Sequence, residues 1–373
     1  MLKRMLAVCI LLLLLPCSVM AESIPLSSLS AVVYEPNSGR VLYAKDADTK
    51  RPMASTTKLM TALVAADSLP LNATVTVPET AVLVEGSSMG LRGGDTLTVR
   101  DLLIGMLLSS GNDAANAAAL LSAGSLSSFA ERMNAKAKSL GMTRSVFVTP
   151  SGLDKGAHGS TARDLALLGA AVLRSSELSA MCAQKRATVT ISGNPVTLKN
   201  HNRLLSLYEP AVGLKTGFTK LSGRCLVSAA QRDGVTLVVA TLNGGDYWND
   251  HIALYEYGFS KTESVSLTLP DLPEVSVCGG ALSSVALRAE DPETITLLKG
   301  EAATVTCRVE LPCFTWAPLE AGQPLGMVVY ELGSKVLCQI PITAEHAVAE
   351  REPLGFLTKW KRQLHALLTT VLG

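Results

Sequence analysis

The chain has 373 residues and a formal net charge of +1, because its 33 basic residues nearly balance its 32 acidic residues. This balance leaves no basic excess for nucleic acid, and no long charged tail suggests an electrostatic partner. Hydrophobic residues make up 48% of the chain, enough for a substantial aliphatic core and for two domains of ordinary size. A substrate must therefore be recognised by local groups.

The first residues have the pattern of an export signal. Two basic residues precede the apolar run Met5 to Leu15, which is too short for a confident membrane span. Val19-Met20-Ala21 suits a signal peptidase, so we predict a signal peptide over residues 1–21. Lipidation at Cys17 is the competing interpretation, and Pro16 disfavours it because a small residue is expected before a lipidated cysteine.

Neither the cysteines nor the histidines are spaced for a metal site. Without CxxC or Cys/His spacing a zinc site is disfavoured, and with no GxGxxG or Walker motif either, we predict no metal and no cofactor. An even number of cysteines in an exported chain permits disulfides, but isolated cysteines in apolar runs favour buried free thiols. The six cysteines beyond the signal are Cys182, Cys225, Cys278, Cys307, Cys313 and Cys338.

The predicted elements begin with a β-hairpin, in which Ala31 to Tyr34 and Val41 to Tyr43 flank the turn Pro36 to Gly39. Apolar residues at helical spacing then predict helices from Ser55, over Val99 to Ser109, from Asp113 and, behind an N-cap, from Thr161. Strands return at Lys215 to Phe218, Cys225 to Ser228 and Val235 to Leu242, with Asp233-Gly234 as a hairpin turn. This order predicts an α+β domain over residues 22–262, with an antiparallel sheet flanked by helices.

The pattern changes near residue 263. Short alternating runs separated by Pro and Gly predict a small all-β domain over residues 263–345, with strands at Val265–Leu269, Thr294–Leu298, Thr304–Val309 and Val336–Ile342. In residues 346–373, Trp360 and several leucines share one helical face that the basic residues avoid. We predict an amphipathic helix that anchors the chain on a membrane, and a helix docked on the protein is the alternative.

Ser55-Thr56-Thr57-Lys58 is the first candidate catalytic motif. At positions i and i+3 of a helix, a hydroxyl and an amine share one face and can form a hydrogen bond. A serine becomes nucleophilic when a neighbouring base takes its proton, and a lysine can be that base only if burial and nearby cations lower its pKa. Alone, this spacing occurs by chance about once in a chain of this length, and a surface helix pair is then the favoured explanation.

Two further motifs give this pair a context. Ser110-Gly111-Asn112 lies between two predicted helices, where the serine can relay a proton and the Asn amide can bind a substrate amide. Ser192-Gly193-Asn194 repeats the letters between two short alternating runs and is interpreted as a hairpin turn only. In Lys215-Thr216-Gly217, the glycine permits close approach of substrate backbone to a strand, and the lysine and hydroxyls suit a carboxylate.

With these three motifs in this order, the sequence resembles the penicillin-interacting serine D,D-peptidases, which share them with class A β-lactamases. More narrowly, it resembles the low-molecular-weight penicillin-binding proteins that are D-alanyl-D-alanine carboxypeptidases. The resemblance covers nearly the whole mature chain. It is carried by Ala54–Thr61, Ser109–Ala114, Ser160–Asp164, Asn202–Leu205 and Gly213–Thr219.

The resemblance implies a hydrolase of peptidoglycan stem peptides that acts in cell-wall organisation and cell shape and is acylated by β-lactams. It assigns Ser55 as nucleophile, Lys58 as base, and Ser110 with Lys215 as the path of a proton to the leaving D-alanine. It gives Asn112 to the substrate amide, Thr216 and Thr219 to the terminal carboxylate, and the backbone N–H groups of Ser55 and Phe218 to the oxyanion. Gly217 completes the strand motif.

Two departures from the family pattern concern the carboxylate pocket. Some relatives carry a histidine before the Gly-Leu-Asp at 152–154, where this chain has Ser151. Some place an arginine after the strand that ends near Leu242, where this chain has Gly244-Gly-Asp-Tyr-Trp. A β-lactamase remains an alternative, although no Glu-x-x-Leu-Asn loop follows Asn112, and a non-catalytic penicillin-binding sensor is another.

Overall fold

The computed structural model describes residues 24–352 and 360–364. The predicted signal peptide and most of the predicted C-terminal helix lie outside these ranges. Within residues 360–364 the chain is helical, and both Trp360 and Leu364 are exposed. No single helix in the described ranges is long and apolar enough to cross a membrane. Two consecutive helices, Ala162–Leu173 and Ser176–Ala183, reach the length and composition of a membrane span only when they are counted together, and they meet at a bend of 105°.

An antiparallel sheet forms the centre of the first domain. The strands of this domain are β1 (Ser30–Glu35), β2 (Arg40–Lys45), β3 (Thr74–Thr76), β4 (Thr96–Thr98), β5 (Arg186–Ile191), β6 (Asn194–Lys199), β7 (Ala211–Thr219), β8 (Gly223–Arg232) and β9 (Val235–Leu242). The spatial order of the central sheet is β2-β1-β9-β8-β7, and the register pairs Val33 with Val239 and Lys215 with Val227. The predicted hairpin and the three late strands are confirmed.

Helices cover both faces of this sheet. They are α1 (Lys58–Ser68), α2 (Val99–Leu108), α3 (Asn112–Ala123), α4 (Leu126–Ser139), α5 (Ala162–Leu173), α6 (Ser176–Ala183), α7 (Leu204–Leu207) and α8 (Tyr247–Lys261). Leu59, Met106 and Leu168 belong to a large apolar core on one face, while Leu254 and Phe259 of α8 pack on the other. The α+β architecture predicted from the sequence is therefore confirmed, with α4, α6, α7 and α8 added to it.

The helix starts follow the local chemistry of the chain. The Thr161 hydroxyl accepts a hydrogen bond from the Asp164 N–H at 3.1 Å, which is the predicted N-cap of α5. The helix expected from Ser55 begins instead as a 3₁₀ turn, Ala54–Thr57, and becomes α-helical at Lys58. Ser55 is thereby placed on a tight turn at the helix entrance.

A second, all-β domain follows α8. Its strands are β10 (Thr262–Val265), β11 (Val275–Cys278), β12 (Ser284–Val285), β13 (Leu287–Ala289), β14 (Ile295–Leu298), β15 (Val305–Glu310), β16 (Phe314–Trp316), β17 (Pro324–Leu332) and β18 (Lys335–Ala344). Strand order is β13-β18-β17-β15 in one sheet and β12-β11-β16 in another, and β10 pairs with β14. The strand predicted over Val265–Leu269 is wrong: the ladder ends at Val265, and Leu267 and Leu269 pack into the core without it.

The β domain extends past residue 345. Val348 is buried and forms a bridge with Leu319, and Glu350 forms a bridge with Gly280. Residues 348–350 thus continue the β domain, and the helix predicted over 346–373 does not begin at 346. On the side of the first domain, Arg40 donates to Glu301 at 2.6 Å, and Lys335 Nζ donates to the Ser38 carbonyl at 3.0 Å.

The six cysteines are free thiols, but the prediction that they are buried is correct for only two of them. Cys182 and Cys225 are buried, and their burial raises the pKa of each thiol, to about 12 and about 11. Cys307 and Cys313 are exposed, because they lie on or next to strands of a small sheet with one solvated face. No group of three or more His, Cys, Asp or Glu side chains in the described residues could hold a metal ion.

Candidate active site

Ser55 lies on a turn that several contacts hold in place. Ala54, just before it, has φ of 47°, a left-handed conformation that is unusual for a residue with a side chain. The Thr57 hydroxyl donates to the Ala54 carbonyl at 2.8 Å. Gly152 lies against the same carbonyl so closely that a Cβ at position 152 would be 2.0 Å from it. The serine is therefore presented, half-buried, on a locked turn.

Lys58 reaches back from the first turn of α1 to Ser55. Its Nζ lies 2.9 Å from Ser55 Oγ, 2.7 Å from Asn112 Oδ1 and 2.6 Å from the Ser151 carbonyl oxygen. A charged amine would donate to all three acceptors. A neutral amine fits the same geometry by donating to Asn112 and Ser151 and turning its lone pair towards the Ser55 hydroxyl. The arrangement can therefore remove the serine proton.

Burial shifts Lys58 towards the neutral state that a base needs. Its side chain is fully buried, and this desolvation lowers the pKa of Lys58 well below 10.5, with Lys215 adding to the effect and Asp113 opposing it. Burial also lowers the pKa of Lys215 to about 8. The sequence predicted that burial and a nearby cation lower the pKa of Lys58, and both desolvation and the charge of Lys215 act in this direction.

The Ser110-Gly111-Asn112 motif lies between α2 and α3, as its sequence predicted. Ser110 is buried and has φ of 60°, so the turn is another left-handed position at the site. Asn112 Nδ2 donates to the Glu85 carbonyl at 2.7 Å while Oδ1 accepts from Lys58, which fixes the orientation of the amide. One N–H and one lone pair of this amide are left for a substrate.

Asp113 is a positioning residue to which the sequence interpretation gave no role. Its buried carboxylate accepts from Ser88 Oγ at 2.5 Å and from the backbone N–H groups of Met89, Gly90 and Leu91 at 3.1 to 3.2 Å. It therefore closes a loop against the start of α3. The only signal in the sequence was an acidic residue directly after the Asn of the motif. An acid in the first turn of a helix is also explained by the helix dipole, so this signal alone did not indicate a role for Asp113.

Strand β7 brings the third motif against the nucleophile. A Cβ at Gly217 would lie 3.0 Å from the Ser55 backbone nitrogen and 2.9 Å from the Met53 carbonyl oxygen. Only glycine permits this approach of strand and turn. Lys215 and Gly217 are buried, whereas Phe218 is exposed, which confirms the predicted alternation along the strand.

The hydroxyls of β7 are in different situations. Thr216 is half-buried. Thr219 closes the turn into β8: its hydroxyl donates to Ser222 Oγ at 2.9 Å and accepts from the Ser222 N–H at 3.0 Å. Thr219 therefore has a partner within the protein before any carboxylate arrives.

Two basic side chains lie near the site in addition to the lysines. The pKa of His201 is lowered by burial and by the charges of Lys215 and Lys58, and its backbone N–H donates to the Leu108 carbonyl, two residues before Ser110. Arg224 of β8 pairs with Phe218 of β7, and its guanidinium lies 5.9 Å from the Phe218 ring centroid. The sequence motifs identified neither residue, because they come together only through strand pairing and loop packing.

His158 is a second positioning residue. Its Nδ1 accepts from the Val148 N–H at 3.0 Å, so its Nε2 carries the proton and donates to the Thr57 hydroxyl, 2.9 Å away. Burial lowers the pKa of His158 to about 4. The neutral ring thus supports the turn that holds Ser55.

The second Ser-Gly-Asn copy has no place in this cluster. Ser192 and Gly193 connect β5 and β6 with φ of 49° and 80°, which is a hairpin turn as predicted. The structure brings Ser55, Lys58, Asn112, Lys215 and Gly217 together at one end of β7.

Comparison with known proteins agrees with this geometry. Residues 18–245 match the family model described as D-alanyl-D-alanine carboxypeptidase, and residues 265–350 match the C-terminal domain of penicillin-binding protein 5. The first match covers the first domain up to residue 245, before helix α8, and the second covers most of the β domain.

Similar proteins span almost the full chain. The D-alanyl-D-alanine carboxypeptidase DacF of Bacillus subtilis is 30% identical, over 90% of this chain and 88% of that protein. The D-alanyl-D-alanine carboxypeptidase DacC of Escherichia coli is 36% identical, over 84% of this chain and 82% of that protein. The crystal structure of penicillin-binding protein 5 from Haemophilus influenzae superposes with a TM-score of 0.66 at 29% identity, covering 88% of this chain and all of that one.

Proposed function

Because the chain belongs to the D-alanyl-D-alanine carboxypeptidase family, we propose that it removes the terminal D-alanine from peptidoglycan stem pentapeptides through an acyl-enzyme on Ser55. The observation that carries this proposal is the 2.9 Å contact between Ser55 Oγ and a fully buried Lys58 Nζ whose pKa is lowered. A buried amine with a lowered pKa at that distance is suited to taking the serine proton.

In the acylation step, Ser55 Oγ attacks the carbonyl carbon of the penultimate D-alanine while Lys58 Nζ accepts the hydroxyl proton. The backbone N–H groups of Ser55 and Phe218 stabilise the oxyanion, since β7 lies directly against the Ser55 nitrogen. The peptide C–N bond then breaks, and the leaving amine receives a proton passed through Ser110 and Lys215. The products of this step are free D-alanine and an ester on Ser55.

In the deacylation step, water attacks the ester carbonyl and Lys58 accepts a proton from the water. The Ser55 oxygen leaves and is reprotonated, which releases the tetrapeptide. Asn112 holds the substrate amide, and Thr216 with Thr219 holds the terminal carboxylate next to the strand. A β-lactam forms the same ester on Ser55 and is inhibitory because its ring-opened product does not leave.

Two assays on the exported domain test this proposal: labelling with a tagged penicillin, and release of D-alanine from a peptide ending in D-Ala-D-Ala. We expect stable label on Ser55, located by peptide mass spectrometry, together with released D-alanine, and loss of both in Ser55→Ala. Rapid loss of the label with hydrolysed penicillin would favour a β-lactamase. Label without D-alanine would favour a penicillin-binding sensor.

We also propose that residues 1–21 direct export and that the C-terminal helix holds the enzyme on the outer face of the cytoplasmic membrane. The support is the basic and apolar start of the chain and the exposed Trp360 and Leu364 in a helical segment that also carries Lys361 and Arg362. Removal of residues 354–373 should release the enzyme from membranes and leave penicillin labelling intact. A truncated chain that stays on the membrane would contradict the anchoring.

A further inference from the structure

The far end of the β domain carries an exposed apolar patch, formed by Leu282, Phe314 and Trp316. The exposed fractions of these side chains are 49%, 47% and 66%. Phe314 and Trp316 lie two residues apart on β16, so their side chains share one face of the strand, and their rings meet edge to face at 5.6 Å. Large exposed aromatic and leucine side chains in one place mark an interaction surface.

The strand register places this patch at one end of the domain. Trp316 pairs with Cys278, the last residue of β11, and Leu282 lies in the turn that leads from β11 to β12. β16 is an edge strand of its three-stranded sheet. The patch therefore lies at the tip formed by the β11–β12 turn and the end of β16.

The chain leaves the β domain at the same tip. The Arg351 N–H donates to the Gly279 carbonyl at 2.8 Å, and the Ala281 N–H donates to the Ala349 carbonyl at 2.8 Å. Twenty-one residues, 353 to 373, follow this point in the sequence. Arg351, two residues before this segment, thus lies against the turn that carries Leu282, next to the strand pair that ends at Cys278 and Trp316.

The tip is opposite the end that contacts the catalytic domain. β18 starts at Lys335, whose Nζ donates to the Ser38 carbonyl of the first domain, and ends at Ala344 in the core beneath the tip. A strand of this length spans about 30 Å. The β domain therefore has one end on the catalytic domain and the other at the chain exit.

We propose that the patch of Leu282, Phe314 and Trp316 inserts into the interfacial layer of the lipid bilayer, as a second contact beside the C-terminal helix. Trp and Phe are suited to this layer because their rings are large and apolar and, in Trp, carry a polar N–H. Two adjacent contacts fix the long direction of the β domain against the membrane. This proposal extends the anchoring proposed above, and the two can fail separately.

Tryptophan fluorescence of the full mature chain tests both contacts, because the chain has three tryptophans: Trp248, Trp316 and Trp360. The variant W248F/W360F leaves Trp316 as the reporter of the tip, and W248F/W316F leaves Trp360 as the reporter of the helix. Each is mixed with vesicles of phosphatidylethanolamine and phosphatidylglycerol whose acyl chains are brominated or unmodified. We expect a blue shift on binding and quenching by bromine for both reporters.

The patch proposal is overturned if vesicles change neither the emission wavelength nor the quenching of Trp316, regardless of the fluorescence of Trp360. Quenching of Trp316 without quenching of Trp360 keeps the tip contact and overturns the helix anchor. A blue-shifted Trp316 before lipid is added also overturns the patch proposal. It indicates a second copy if the shift depends on protein concentration, and a folded-back tail if it disappears in a chain ending at residue 352.

Partition measurements give a second readout with a matched control. F314A/W316A in the full chain should weaken binding to the vesicles about tenfold, from the apolar area withheld from the interface. Leu207→Ala removes a leucine that is also 49% exposed but lies in the catalytic domain, and it should leave partition unchanged. Equal partition of F314A/W316A and the wild type would contradict the proposal, provided that penicillin labelling confirms that both are folded.

Discussion

Two buried polar clusters lie on opposite faces of the central sheet, and they use similar residues for different purposes. The first is called the catalytic cluster for its proposed role and consists of Ser55, Lys58, Asn112 and Lys215. The scaffold cluster is a chain of hydrogen bonds in which Thr241 Oγ1 lies 2.8 Å from His251 Nε2, His251 Nδ1 lies 2.6 Å from Ser228 Oγ, and Ser228 Oγ lies 2.6 Å from the Tyr255 hydroxyl. By residue type alone, a Ser–His pair is as suggestive of hydrolysis as a Ser–Lys pair.

The difference is access and charge. All four residues of the scaffold cluster are fully buried, and a neutral histidine satisfies its neighbours without any net charge. In the catalytic cluster Ser55 is only half-buried, and two lysines whose pKa values are lowered lie within electrostatic range of each other. Residue type therefore does not distinguish the two clusters. The distinguishing feature is a pair of lysines with lowered pKa values beside a serine that solvent can reach.

The largest effect should come from the base. Lys58→Met removes the proton acceptor and should lower the rate of acylation of Ser55 by penicillin about 10⁴-fold, measured by stopped-flow or mass spectrometry. Folding should survive, because the change removes a poorly solvated amine. Lys136→Met, at a partly exposed lysine that pairs with Asp67 at 2.8 Å, is the control and should react at the wild-type rate. Comparable rates in the two variants would refute the role of Lys58.

Lys215→Met should lower acylation about 10²-fold and also shift its pH profile. The positive charge of Lys215 lowers the pKa of Lys58, so its removal raises that pKa and moves the acid limb of the pH–rate profile to higher pH. A loss of rate with no shift in the limb would mean that Lys215 acts on the substrate only.

Asp113→Asn should shift the same limb in the opposite direction. The charge of Asp113 raises the pKa of Lys58, so its loss lowers that pKa and moves the acid limb to lower pH. The substitution also removes the charged acceptor of the hydrogen bonds that the loop donates to Asp113. This loss should reduce the acylation rate about tenfold and lower the free energy of unfolding by about 1–3 kcal/mol. A limb that moves to higher pH would contradict this account of the site.

The smallest effects on acylation concern the two buried histidines, which act mainly on acid stability. The unfolded chain binds a proton near the usual His pKa of 6.5, but the pKa of folded His158 is only about 4 and that of folded His251 about 3. Their stabilising contribution is therefore complete above pH 6.5 and is lost as the pH falls towards those values, by about 3 kcal/mol for His158 and about 4 kcal/mol for His251. Urea unfolding at a series of pH values measures this loss.

The variants His158→Gln and His251→Gln sharpen the comparison between the two faces. Both should flatten the acid limb of stability, since glutamine does not titrate. Only His158→Gln should also slow acylation, because the His158 ring supports the Thr57 hydroxyl beneath the Ser55 turn. Equal acylation in the two variants would remove His158 from the positioning of the nucleophile.

The sequence predicted the parts of the molecule that depend on local pattern. The hairpin of β1 and β2, the N-cap at Thr161 and the strand alternation around Lys215 follow from periodicity and turn chemistry, and the structure confirms them. The proposed nucleophile Ser55 and the proposed base Lys58 also lie close in sequence. Their contact needed only the pitch of one helical turn.

What the sequence could not predict depends on distant contacts. The loop closed by Asp113, the support of the turn by His158, and the approach of Gly217 to Ser55 join segments that lie far apart in the chain. Helix α8 follows a Gly-Gly-Asp stretch that resembles a loop, and its stability comes from packing on the sheet. The strand predicted over Val265–Leu269 was wrong because the alternating apolar residues indicate which side chains are buried and do not show whether the backbone has a partner strand. Leu267 and Leu269 pack into the core, but the strand pairing ends at Val265.

The most direct test of the central claim is the protonation state of Lys58 itself. In the full chain labelled with ¹⁵Nζ-lysine, the resonance missing from Lys58→Met identifies Lys58, and its shift is followed against pH by NMR. We predict a titration well below pH 10.5 and a neutral amine at the pH where acylation is fastest. A Lys58 that remains protonated up to pH 10.5 while Ser55 acylates normally would contradict the assignment of Lys58 as the base.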